Sequence, residues 1–152
     1  MSDQAALPEE EPAPKAPGDA NTTHLAGEFF VAAELSKRGY SVSVTLGNAK
    51  AVDLFAEKDG RTVNIQVKAI RSRKSNGWPM VKSKVRRSGD LVYAFVCLNE
   101  IGEPPSYFVL TGAEAYAKTK QYETRGIINV GSLRSPEFVD RWDKLDGPAQ
   151  PL

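Results

Sequence analysis

The sequence predicts one α+β (α/β) domain in which a helix leads into a hairpin-rich sheet and further helices follow. Three observations carry this prediction. Apolar residues recur at helical spacing over residues 23–38. Asp59-Gly60 lies between two strand-like runs, a strong hairpin signal. Residues 91–98, LVYAFVCL, are almost wholly apolar, as in a strand buried on both faces.

The elements follow in order. Residues 1–20 are acidic and Pro/Ala-rich, with too few large apolar groups to offset the entropy of ordering, so they are expected to form a disordered tail. They lack the basic start and apolar stretch of a secretory signal. A single domain is expected over 21–147, with a short tail over 148–152. The first helix, 23–38, has an apolar face of Leu25, Phe29, Ala32 and Leu35, and Gly39 fits its left-handed C-terminal position. Strands follow at 41–46, broken by Gly47-Asn48, then at 51–57 and 61–70. A basic segment, 71–89, holds a short helix around 81–87 and leads to the 91–98 strand. A strand at 107–110 precedes a helix, 112–120, opened by a Thr111/Glu114 capping box. A further strand at 127–130 leads to a last helix, 136–145, with Ser135 as N-cap, Pro136 as its first residue and Gly147-Pro148 as its stop.

Composition narrows the class. Hydrophobic residues at 41% and charged residues at 26% suit a soluble globular domain. No apolar run approaches the roughly 18 residues of a membrane span. Cys97, the lone cysteine, excludes an internal disulfide and sits in an apolar run, so packing is expected of it rather than reactivity. A cytoplasmic location is the expectation. The net charge of +1 hides an asymmetry. Residues 61–89 carry Arg61, Lys68, Arg71, Arg73, Lys74, Lys82, Lys84, Arg86 and Arg87 and no acid. Such a block is either a solvated loop or a footprint for phosphate.

Several polar residues interrupt the packing pattern. Glu28 lies three and four residues from Leu25 and Ala32, so it turns toward the buried face, where a carboxylate needs compensation. Asp53 breaks the run Ala51-Val52-Asp53-Leu54-Phe55. In the 61–70 strand, Ile65, Val67 and Ala69 share one face, and Gln66 and Lys68 the other. The Asp59-Gly60 turn folds Asp53 back toward Gln66 and Lys68. Singly, each has an ordinary reading: a salt-bridged helix carboxylate, a strand-end residue, a solvated sheet face. Together they make a candidate site for a hard divalent cation, Mg²⁺ or Mn²⁺. Glu28, Asp53, the Gln66 amide oxygen and the Val67 backbone carbonyl would be its ligands, with Lys68 beside the attacking water. His24, one turn before Glu28, reads as a residue at the start of the helix rather than as a ligand. Trp78 reads as an anchor of the basic segment.

The run Gly27-Glu28, Gly39-Tyr40, Val52-Asp53-Leu54 and Ile65-Gln66-Val67-Lys68 resembles the PD-(D/E)xK nuclease superfamily, with its nearest likeness in the archaeal Holliday-junction-resolvase and Mrr-type branches. The resemblance covers about residues 23–70 and implies a restriction-endonuclease-like αβββαβ core, a mixed sheet flanked by helices. It implies catalytic roles for Glu28, Asp53, Gln66 and Lys68. Val52 replaces the proline of the motif. Gln66 stands where most members carry Glu, as in the Mrr-type branch, and removes one negative charge from the metal site. The resemblance implies a metal-dependent endonuclease acting on double-stranded or branched DNA, and such enzymes often cut as homodimers. Arg71, Arg73, Lys74, Lys82, Lys84, Arg86 and Arg87 then become expected nucleic-acid contacts. Two other functions remain open here: a catalytically inactive nucleic-acid-binding module, and a protein-interaction domain.

Overall fold

The structure is a computed structural model and describes residues 19–45 and 52–147. The acidic segment, the Gly47-Asn48 break and residues 148–152 lie outside the described residues. Helix α1, Ala20–Lys37, starts three residues before the expected position because Asp19 caps it. The Asp19 carboxylate accepts from the Thr22 backbone N–H at 2.8 Å and from its hydroxyl at 2.9 Å. The helix ends as the sequence predicts. Gly39 has φ +94°, the Tyr40 N–H returns to the Leu35 carbonyl and the Gly39 N–H to that of Ser36.

Strands β1 (Ser41–Val44), β2 (Leu54–Lys58) and β3 (Arg61–Ile70) form an antiparallel meander. Asp59 and Gly60 both have positive φ, which gives the two-residue turn the right-handed twist that a hairpin needs. After β3 comes a strand that sequence reasoning missed, β4 (Gly77–Met80), and the helix expected around 81–87 is a single 3₁₀ turn, Lys82–Lys84. Strand β5 (Leu91–Cys97) pairs parallel to β3 and is buried throughout. Strand β6 (Ser106–Thr111) runs antiparallel to β5, and the capping box opens α2 (Gly112–Lys118). Two short strands, β7 (Lys120–Gln121) and β8 (Gly126–Asn129), complete the regular elements.

The main sheet is mixed, in the order β1-β2-β3-β5-β6; a second sheet has the order β4-β8-β7. This is the α+β class expected, with the β3-to-β5 crossover made by a strand and a 3₁₀ turn. Pro79 is tolerated because β4 is an edge strand. On one face of the main sheet, Val31 and Leu35 of α1 pack with Leu54, Ile65, Val67, Ala94 and Val96. Each fully buried Val or Leu contributes about 1.5–3 kcal/mol. On the other face, Trp78, Tyr93, Phe95, Leu110 and Ile128 form a second core. Trp78 is the anchor expected: its ring meets Phe95 and Phe108 edge-on and its indole N–H donates to the Val96 carbonyl at 3.1 Å. Cys97 is buried, as expected.

Two further expectations fail. The buried stripe of α1 is Gly27, Glu28, Val31 and Leu35, while Leu25 and Phe29 are exposed. Both stripes have helical spacing, and the sheet selects the one where glycine permits close approach. The helix expected over 136–145 is absent. The Val109 N–H donates to Phe138, and the Asp140 N–H to Tyr107. The segment therefore lies along the edge of β6, and only Trp142–Asp146 closes into a 3₁₀ helix. Among the described residues, no helix is long and apolar enough to cross a membrane.

Candidate metal centre and cleft

Close packing of α1 on β3 positions the first carboxylate. A Cβ at Gly27 would stand 2.6 Å from the Ala69 Cβ, so only glycine lets the helix lie this near. Glu28 follows it and is 1% exposed. Arg71, just past β3, ties the first turn of α1 by donating from Nη2 to the Thr23 hydroxyl at 3.3 Å.

Asp53 is held by its backbone on both sides. Its N–H donates to the Ile65 carbonyl and its carbonyl accepts from the Thr45 N–H, each at 3.0 Å. Its side chain then bridges to β3, where Oδ2 accepts from the Val67 N–H at 2.7 Å. The β2–β3 register ends at Leu54 opposite Ile65. Alternate residues of a strand present their backbone groups to opposite neighbours. Asn64 and Ile70 bond toward β5, whereas Ile65 and Val67 bond toward Asp53. The Val67 carbonyl leaves β3 on the same side as its N–H and so faces the edge gripped by Asp53.

Glu28 and Asp53 meet there, and His24 joins them. The imidazole Nε2 is 2.8 Å from Glu28 Oε1 and 3.6 Å from Asp53 Oδ1. One donor atom from each residue lies within 4.8 Å of the others. One imidazole nitrogen and two buried carboxylates, beside a backbone carbonyl, are a donor set that fits a divalent cation.

Gln66 and Lys68 flank Val67 on β3, opposite Tyr93 and Phe95 of β5. Both are half-buried and line a cleft of about 420 Å³. Its other walls come from Met80 and Lys84 and from Thr124, Arg125 and Gly126 at the turn between β7 and β8. The structure thus brings Glu28, Asp53 and the Val67 backbone together and sets Gln66 and Lys68 in the adjoining cleft wall.

The seven expected basic contacts have different surroundings. Arg71 serves α1, and Arg73 and Lys74 are exposed in the turn after β3. Lys84 lines the cleft. Lys82 and Arg87 lie over the Tyr116 ring of α2, at 4.7 and 4.2 Å from its centroid. Arg86 is exposed, its backbone N–H donating to the Tyr93 hydroxyl. His24, read from the sequence as a residue at the start of the helix, stands four residues from Glu28 and faces both carboxylates, and Arg125, which carried no local signal, lines the cleft.

Residues 18–94, just over half of the chain, match a family described as PD-(D/E)XK endonuclease. The fold is similar to that of a bacterial homing endonuclease, I-Ssp6803I. That match has a TM-score of 0.61 and 16% identity, over 85% of this chain and 95% of the other. No curated protein sequence matches. With more than half of its length matched, the chain belongs to the PD-(D/E)XK endonuclease family.

Proposed function

We propose that the chain is a Mg²⁺- or Mn²⁺-dependent endonuclease that hydrolyses phosphodiester bonds of DNA. The observation that carries this reading is the meeting of the Glu28 and Asp53 carboxylates at the edge of β3, next to the cleft lined by Gln66 and Lys68. A divalent ion held there would offset the two carboxylate charges and stabilise the negative charge that builds on the phosphoryl oxygens.

The chain's own groups do the rest. Glu28, Asp53, the Gln66 amide oxygen and the Val67 carbonyl are the oxygen ligands in this reading. The neutral Gln66 leaves the formal negative charge to Glu28 and Asp53. Lys68 orients the attacking water and places a positive charge beside the phosphate. The basic positions Arg73, Lys74 and Lys84 hold the nucleic-acid backbone in register, a sequence-independent contribution.

The test is cleavage of plasmid DNA by purified protein with either ion, beside Lys68→Ala and Asp53→Ala. Wild type is expected to nick or linearise the plasmid and both variants to lose at least about 10²-fold in rate. Salt-sensitive DNA binding with no cleavage under either ion would instead assign a binding module that has kept the fold.

A further inference from the structure

We infer that His24 is a direct ligand of the ion held by Glu28 and Asp53, and that its nitrogen turns the site from Mg²⁺ toward Mn²⁺. The inference deepens the proposed function, because it rests on reading the Glu28–Asp53 pair as an ion site.

The geometry points to coordination rather than to a simple ion pair. A histidine that merely neutralises a helix carboxylate needs one partner. His24 Nε2 lies near two, Glu28 on its own helix and Asp53 on the segment before β2. With donors about 2.0–2.2 Å from a small divalent ion, neighbouring ligand atoms stand about 2.8–3.6 Å apart. The observed 2.8 and 3.6 Å from Nε2 to the two carboxylates have that spacing. All three donor atoms lie within 4.8 Å of one another, so side-chain adjustment alone would bring them onto a single ion. Two ligands four residues apart on one helix face present their donors to one point, as in helical His pairs that bind zinc.

Access and chemistry agree. Glu28 and Asp53 are closed off, at 1% and 5% side-chain exposure, whereas the His24 side chain is 41% exposed. The imidazole thus forms the solvent side of the site, where an ion and its waters exchange. Mg²⁺ prefers an all-oxygen shell, and an imidazole nitrogen favours the transition ions. The neutral Gln66 acts in the same direction, because it lowers the charge that would hold the harder ion.

The measurement is pulsed EPR of Mn²⁺ bound to the untagged full chain. His24 is the only histidine of the sequence, so imidazole ¹⁴N modulation has one source. The modulation is expected in wild type and absent from His24→Ala. That variant should bind Mn²⁺ at least about tenfold more weakly, while its Mg²⁺ affinity changes less than about threefold. Wild type that binds Mn²⁺ without ¹⁴N modulation overturns the ligand role and leaves the carboxylate site standing. Wild type that binds no Mn²⁺ overturns the ion site itself. Parallel losses for both ions in His24→Ala overturn the selectivity.

Discussion

Gly27→Ala tests the packing on which the site depends. The new Cβ would stand 2.6 Å from the Ala69 Cβ and 3.4 Å from Val67 Cγ1. Carbon atoms pack at about 3.5–4.0 Å, so the helix must retreat from β3 by roughly 1 Å. Overpacking of this kind costs about 1–3 kcal/mol. Alanine in a helix interior offsets about 1 kcal/mol of that relative to glycine. The net loss expected is therefore about 0–2 kcal/mol, a modest fall in the urea midpoint with an unchanged slope. The effect on cleavage should be larger. Glu28 moves with the helix, and a misplacement of about 1 Å at a reacting centre costs on the order of 10²-fold in rate. Urea denaturation and plasmid cleavage on the same preparation separate the two effects. Ala69→Gly in the same chain removes the colliding methyl and should restore most of the cleavage. A Gly27→Ala protein more stable by about 1 kcal/mol, with wild-type cleavage, would refute the close approach.

Three further outcomes are expected. Trp78→Phe loses the indole N–H bond to the Val96 carbonyl, so denaturation should show a loss of about 0.5–1.5 kcal/mol. Burial pushes the Glu114 carboxyl up, but the Thr111 backbone N–H and the Lys144 ammonium outweigh it and hold it below its ordinary value. A depressed carboxylate contributes stability that is complete above its unfolded pKa and disappears as pH falls through the folded one. The Tm difference between wild type and Glu114→Gln should thus shrink as pH drops from neutral to about 3, and a constant difference would contradict the assignment. Lys84→Ala, in the cleft wall, should weaken DNA binding and make its dependence on log salt concentration shallower by about 1; an unchanged slope would remove Lys84 from the phosphate contacts.

Local chemistry made part of this protein legible from its sequence. The Asp59-Gly60 turn needs positive φ at both residues, so it places β2 against β3 before any tertiary contact is known. Register from that turn brings Asp53 beside Gln66, and the alternation along β3 separates Gln66 and Lys68 from the buried Ile65 and Val67. Gly39 and the Thr111/Glu114 box likewise act within one helical turn.

Tertiary structure decided what local pattern leaves degenerate. Two stripes of α1 have helical spacing, and contact with β3 at Gly27 buries Val31 rather than Phe29. Residues 136–145 carry good helix signals, yet the open edge of β6 takes their backbone hydrogen bonds. Strand β8 answers the strand expected at 127–130, but β4 has only four residues and exists through pairing with β8, far along the sequence. His24 shows the limit most directly. Its four-residue spacing from Glu28 was visible in the sequence. Its closeness to Asp53 arises only when helix and sheet are packed, because a donor set shared between distant segments is a property of the fold.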